Sequence, residues 1–259
     1  MSDYLEKLAL DAKETVAEGY YESSSKKRLS SISLKQAVME QSQNAVISEL
    51  KAASPSRGTI KTGFDPAQIA KAMEKGGAAG LSVLTEPKHF KGSLRYLVKV
   101  RDKVKLPILM KDIILSPVQI ETGSNLGANA ILLIKALFDR GCCEHSIEDM
   151  IAFAHSKNLE VLLEAHNETE FEAALQTDAD LVGINNRDLK TLNVDIKTTE
   201  KILKKNKTKN QAIVSESGIR VPSDIVFLRD CGADAFLIGS SIMMAEDLEK
   251  TVKEFVTAK

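Results

Sequence analysis

The stretch VISELKAASPSRGTIKTGFDPAQIAKAMEKGGAAGLSVL, residues 46–84, reads as one strand, one helix and a second strand. Val46–Leu50 is a short apolar run. The segment DPAQIAKAMEKGG has helical periodicity, opened by Asp65 and Pro66 and closed by Gly76 and Gly77. Gly80–Leu84 is the next apolar run. On the first strand Glu49 and Lys51 point the same way and Leu50 the opposite way, so the two charges either pair at the surface or share a site.

Outward from this unit, the same rhythm recurs. Further apolar runs lie at Pro107–Met110, Ala130–Ile134, Glu160–Leu163, Leu181–Ile184, Gln211–Val214 and Ala235–Ile238, with helical stretches such as SIEDMIAFAHSKN between them. Strand starts fall roughly 20 to 35 residues apart, the βα repeat of a barrel of about 250 residues. The expectation is a single (β/α)8 TIM barrel. Leu5, Leu8, Ala9, Ala12 and Val16 fall at helical spacing, and a second short helix begins at Ser33. Residues 1–44 therefore read as a helical extension and residues 45–259 as the barrel, in one domain, since no linker divides the 259 residues. An open doubly wound sheet is the fold alternative, but it normally carries a Gly-rich first turn, and no GxGxxG is present.

Composition narrows function by exclusion. Lys plus Arg total 35 against 36 Asp plus Glu, a balance that gives no reason to expect nucleic acid. The amino-terminal segment MSDYLEKLALDAKETVAEGYY is charged every few residues, unlike a signal peptide or membrane span, so a cytoplasmic protein with no membrane partner is expected. Cys142, Cys143 and Cys231 lack metal-ligand spacing and fit reduced thiols. His89, His145 and His155 show no metal spacing either, and KILKKNKTKN, residues 201–210, reads as a solvated helix end and loop.

In such a barrel the chemistry sits at the carboxyl ends of the strands. There the sequence places Glu49 and Lys51, Thr85 and Glu86, Lys111 and Asp112, Lys135, Glu164, Asn185 and Arg187, Ser215 to Gly218, and Gly239 to Ser241. Taken singly, a charge at a strand end reads as a solvated loop residue or a salt bridge. Convergence from several strands instead predicts an acid/base site in which crowded lysines lose proton affinity and facing carboxylates restore it. After the last two strands, VSESGI and FLIGSS predict a phosphate cradle with Ser217, Gly218, Gly239 and Ser240 as donors. His166 reads as a turn or supporting histidine.

Several motifs together carry a family resemblance. ISELKAASPSRGTI, FDPAQIA, LSVLTEPKHFKGS, PILMKDIILSPVQI, GANAILLI, LEVLLEAHNETE, GINNRDLKTL, VSESGI and FLIGSSIM resemble the indole-3-glycerol phosphate synthases of tryptophan biosynthesis over about residues 30–250. The resemblance implies a carboxy-lyase that closes the ring of a carboxyphenylamino-deoxyribulose phosphate with loss of carbon dioxide and water. It implies no cofactor and no metal, a small phosphorylated substrate, and association with other tryptophan-pathway enzymes as an open expectation.

The resemblance also implies roles. Lys111 is similar to the general acid at the ribulose carbonyl, and Glu164 to the glutamate that moves protons later. Lys51 resembles the lysine near the phosphate and the departing hydroxyl. Glu49 would hold the lysines electrostatically, and Asn185 and Arg187 would orient substrate. Ser54 and Phe90 would close over the anthranilate ring, with Leu84, Leu133 and Leu189 as apolar walls. Ala165 and Lys91 depart from the usual pattern without touching a role, and Lys135 reads as a steering or salt-bridge residue. A lyase using a lysine Schiff base on a phosphorylated ketose and a non-catalytic sugar-phosphate-binding barrel are the alternatives.

Overall fold

A computed structural model describes residues 4–22, 32–54, 58–189, 191–206 and 211–259. Eight parallel strands close into a barrel: β1 (Ala45–Leu50), β2 (Gly80–Leu84), β3 (Ile108–Lys111), β4 (Ala130–Ile134), β5 (Glu160–Ala165), β6 (Leu181–Asn185), β7 (Ala212–Glu216) and β8 (Ala235–Ile238). Closure is made by β1, which pairs with β2 from Ile47↔Gly80 and with β8 from Ala45↔Ala235. The (β/α)8 expectation is met, and the open-sheet alternative falls because no strand of the barrel is an edge. A short antiparallel ladder, Ala53–Ser54 with Gly58–Thr59, follows β1; Pro55 to Arg57 of the SPSRG turn lie outside the described residues, as do residues 207–210 of KILKKNKTKN.

The helices start where sequence chemistry says they should. Asp65 caps the helix Pro66–Lys75 by accepting the amide of Ala67 at 3.0 Å, and Ser146 caps Ile147–Ser156 through the amide of Asp149. Strand alternation sorts the core into two layers. Val46, Leu81, Met110, Leu133, Leu163 and Ile184 face the helices, whereas Ile47, Leu109, Leu132, Leu162, Leu181 and Val214 fill the barrel. The outward layer binds helices to strands, and the inward layer forms the floor of whatever opens above it.

The two amino-terminal helices go to opposite ends. Helix α2 (Leu34–Met39) sits at the base, where Glu160 at the start of β5 accepts the amides of Leu34 at 2.7 Å and Lys35 at 3.0 Å. Helix α1 (Tyr4–Ala17) lies over the carboxyl ends of the strands, with Leu5, Leu8, Ala9 and Ala12 packed among Ile113, Leu115, Ala136 and Leu137. Tyr21, just beyond α1, is fixed there: its hydroxyl donates to Asp112 at 2.9 Å, and its carbonyl accepts from Thr122. No helix among the described residues is long and apolar enough to cross a membrane.

Candidate active site

At the carboxyl ends of the strands, the last inward-facing positions open into a cavity of about 370 Å³. Its lining includes Glu49, Lys51, Ser54, Leu84, Phe90, Lys111, Glu164, Asn185, Arg187, Leu189, Ser217, Gly218, Gly239 and Ser240. Of the residues singled out from sequence, Leu133, Thr85 and Ser215 fall outside that lining, Thr85 bonded to Asp112 and Ser215 to Asn186 and Thr199, and Leu133 is the misplaced wall residue. It faces the helices and is fully buried there, because inward positions on β4 are Ala130, Leu132 and Ile134; Leu132 and Ile134 form the wall instead. Lys135 also stays outside the cavity, engaged with Asp139 one helical turn on.

The buried centre is a carboxylate, lysine, carboxyl cluster. Lys111 Nζ donates to Glu216 Oε2 at 2.5 Å and to Glu164 Oε2 at 3.3 Å. Burial works against the ammonium, but Glu216, Glu164 and Glu49 more than reverse that, so Lys111 holds its proton more tightly than an ordinary lysine. Burial likewise opposes charge on Glu164. Lys111, then His166 and Asn185, outweigh it and hold the Glu164 carboxyl well below the usual carboxylate range. Glu216 goes the other way: burial, reinforced by ionised Glu164, prevails over the pull of Lys111 and pushes it up to about 8. At neutral pH the cluster therefore reads as ammonium, carboxylate and carboxylic acid.

His166 explains why Glu164 takes the charge. Its Nε2 lies 3.1 Å from Glu164 Oε1 and its Nδ1 lies 3.2 Å from Glu170 Oε2. Burial lowers its proton affinity, yet the two carboxylates bring it up to about 9. The sequence reading thus put Glu216 among the strand-end residues without giving it a role, and read His166 only as a turn or supporting residue. Inward parity signals Glu216, since it follows Ala212 and Val214 on one face of β7, and the same two-residue spacing that sets Lys51 beside Glu49 sets His166 beside Glu164 at the end of β5.

Across the cavity, Glu49 Oε1 and Lys51 Nζ pair at 2.7 Å, which settles that these charges pair with each other and do so inside the barrel mouth. Gly239 makes room for them. A Cβ there would stand 2.4 Å from Glu49 Oε1 and 2.9 Å from Lys51 Nζ, so Lys51 abuts the turn after β8. The turn after β7 lies alongside, tied by the Ser241 hydroxyl donating to the Ile219 carbonyl at 2.7 Å. Ser217 and Gly218 both hold left-handed backbone, φ 67° and 88°, and Asn186 braces them by donating to the Ser217 carbonyl at 3.0 Å. Non-glycine residues held in that conformation concentrate at ligand sites. Gly239→Ala is expected to displace the Glu49 and Lys51 pair and to raise KM for a phosphorylated substrate about tenfold, roughly 1.4 kcal/mol; steady-state kinetics showing unchanged KM and kcat would refute this role.

The rim is assembled by Glu86 and α1. Buried Glu86 accepts the amides of Lys88, His89 and Phe90 at 2.9, 2.7 and 2.9 Å, which fixes the turn that carries Phe90 into the cavity. His89 then bridges to α1, with Nε2 2.6 Å from Asp11 Oδ2 and Nδ1 3.2 Å from the Tyr4 hydroxyl. Tyr4 and Leu8 themselves line the cavity. Beneath the rim, burial pushes Asp112 up to about 7, against hydrogen bonds from Thr85, the Ile113 amide and Tyr21. Among the described residues no group of three or more His, Cys, Asp or Glu side chains is placed to hold a metal ion.

Comparison with known proteins matches residues 5–255 to the family model for indole-3-glycerol phosphate synthase. The chain is 44% identical over 212 residues to the indole-3-glycerol phosphate synthase of Caldanaerobacter subterraneus subsp. tengcongensis, covering 82% of this chain and 80% of that one. Against the indole-3-glycerol phosphate synthase of Petrotoga mobilis it is 38% identical over 248 residues, covering 94% and 93%. Among solved structures, an N-acetylmannosamine-6-phosphate 2-epimerase from Clostridium perfringens superposes with a TM-score of 0.61 at 16% identity, over 83% of this chain and 93% of the other. That last likeness is one of fold.

Proposed function

Because this chain belongs to the indole-3-glycerol phosphate synthase family and is a lyase of that activity, we propose that Lys111 and Glu164 move the protons of its reaction with Glu216 positioning Lys111, while Lys51 and the turns after β7 and β8 hold the phosphate. The enzyme closes the ring of 1-(2-carboxyphenylamino)-1-deoxyribulose 5-phosphate to indole-3-glycerol phosphate, releasing carbon dioxide and water. The observation that carries the assignment is the fixed ammonium of Lys111 between two buried carboxyl groups of opposite proton affinity.

The steps follow from those positions. Lys111 donates to the ribulose carbonyl as the ring carbon attacks, so the developing oxyanion meets a preorganised cation in a dry site. Decarboxylation needs the substrate carboxylate positioned but not strongly stabilised, since binding it equally in ground and transition states would not speed its loss. Arg187 suits that duty: its guanidinium is partly engaged with the Leu192 carbonyl at 3.3 Å and its amide donates to Asn185 Oδ1 at 3.0 Å, so Asn185 and Arg187 act as one orienting unit. Lys51, beside Gly239, reaches both the phosphate and the hydroxyl formed from the ribulose carbonyl, and gives that hydroxyl the proton with which it leaves as water, with Glu49 holding Lys51 in place. Glu164 takes the proton released as the indole ring becomes aromatic.

Ser54, Phe90, Leu84, Leu132, Ile134 and Leu189 enclose the aromatic half of the substrate, with Ser217, Gly218, Gly239 and Ser240 donating to its phosphate. The same reading treats residues 1–259 as one domain and expects a cytoplasmic enzyme. It requires no cofactor and neither nucleic acid nor a membrane as partner, and it leaves association with other tryptophan-pathway enzymes as an expectation.

The test uses the product's own signal. The chain contains no Trp, so indole fluorescence on mixing with substrate stands on a low background. Chelator-dialysed protein should turn over at the undiminished rate, and borohydride added with substrate should leave Lys111 unmodified. A covalent adduct on Lys111 would replace the acid role by a Schiff-base one, and tight binding without fluorescence would leave only a binding barrel.

A further inference from the structure

We propose that Gly183 is a positioning residue for the reaction: the space left by its missing side chain seats the carboxyl group of Glu216 against Lys111. The inference rests on the reading of Lys111 and Glu164 as the proton-moving pair, with Glu216 positioning Lys111. Gly183 stands in the middle of β6, where glycine costs roughly 0.5 to 1 kcal/mol relative to alanine. Its backbone is not the reason for it, since Gly183 is absent from the positive-φ glycines. The reason lies on its inward side, between Leu181 and Asn185.

A Cβ at Gly183 would stand 2.3 Å from Glu216 Oε1, with Leu162 Cδ1 at 3.5 Å. Ordinary contact begins near 3.4 Å, so the carboxyl would have to give way by roughly 1 Å, and a misplacement of that size can cost about 10²-fold in rate. Glu216 has little freedom to comply. Its Oε2 is held by Lys111 Nζ at 2.5 Å, its side chain is 1% exposed, and the register sets Asn185 directly opposite it and Gly183 opposite Val214. Moving Oε1 therefore moves the group that Lys111 leans on.

The seat also suits the proton state of its occupant. Glu216 Oε1 is buried with no hydrogen-bond partner among the described residues. An unpartnered buried oxygen is costly when charged and far less so when neutral, which agrees with a carboxyl that keeps its proton up to about pH 8. The atoms nearest to a methyl group at position 183 would be those of that carboxyl, Oε1 at 2.3 Å and Cδ at 3.4 Å, followed by Leu162 Cδ1 at 3.5 Å.

The experiment is a cycle of Gly183→Ala, Glu216→Ala and the double variant, read by indole fluorescence with pH profiles and thermal unfolding. Gly183→Ala is expected to lower kcat 10- to 100-fold, leave KM within about twofold, and shift the alkaline limb of the profile. In the Glu216→Ala background the same change should cost less than about twofold, because the group it displaces is gone. Wild-type kcat in Gly183→Ala, or losses that multiply in the double variant, would overturn the proposal. If Gly183→Ala fails to fold, the double variant should fold, and failure of both overturns it equally. Loss of no activity in Lys111→Ala would instead strike the reading of the cluster, whatever the Gly183 cycle gives.

Discussion

Lys111→Ala is expected to lower kcat by about 10³-fold, close to 4 kcal/mol of transition-state stabilisation, while a substrate analogue that cannot cyclise still binds within a few-fold of the wild-type affinity. The asymmetry follows from placement. Phosphate and aromatic contacts lie on other strands and turns, so ground-state binding survives, whereas the proton donor at the carbonyl is removed. A variant keeping more than about a tenth of wild-type kcat would remove Lys111 from the acid role. Stability adds an independent check. Glu164 owes its depressed proton affinity to Lys111 first among the groups that lower it, and a carboxyl whose folded value is depressed contributes stability above its unfolded value and loses it as pH falls. Without Lys111 that contribution goes. The gap in urea midpoint between wild type and variant should therefore be fully present above about pH 5 and shrink as pH falls below the ordinary carboxylate range, and a gap that grows on acidification would contradict the cluster's charges.

How far the sequence alone revealed this arrangement depends on parity and distance. Strand parity is readable wherever a polar residue marks the inward face: Glu49, Lys111, Glu164 and Asn185 each stand at an inward position near a strand's end. On β4 the run AILLI carries no polar mark, so nothing local separates Leu132 from Leu133, and the wrong one is chosen. Glu216 had the mark but was obscured by its neighbours, because SESG also reads as a phosphate turn. Extension placement lies beyond local pattern. Amphipathic spacing in α1 says that one face is buried and leaves open against what; the contacts of His89 with Asp11 and of Tyr21 with Asp112 span 78 and 91 residues, and such pairings exist only once the barrel has brought β2 and β3 under the helix.

Glu164→Gln is expected to lower kcat by about 10² to 10³ at every pH, and Glu216→Gln to act differently. The two carboxyl groups share Lys111 but not their other neighbours: Glu164 faces His166, which stays protonated up to about 9, and Glu216 faces Glu164. Glutamine at 164 removes the carboxylate that accepts the aromatising proton. Glutamine at 216 mimics the neutral carboxyl already present at pH 7 and so costs much less there. The difference should sharpen above neutrality. As pH rises through about 8, Glu216 in the wild type ionises, a second negative charge grips the Lys111 ammonium, and a more tightly held proton makes a weaker acid. Wild-type turnover should accordingly decline through this range, and Glu216→Gln, which cannot ionise, should carry its activity past pH 9 before falling. Parallel pH profiles for wild type and Glu216→Gln, or a Glu164→Gln variant retaining a third of wild-type kcat, would show that the proton and the charge sit on the opposite partners.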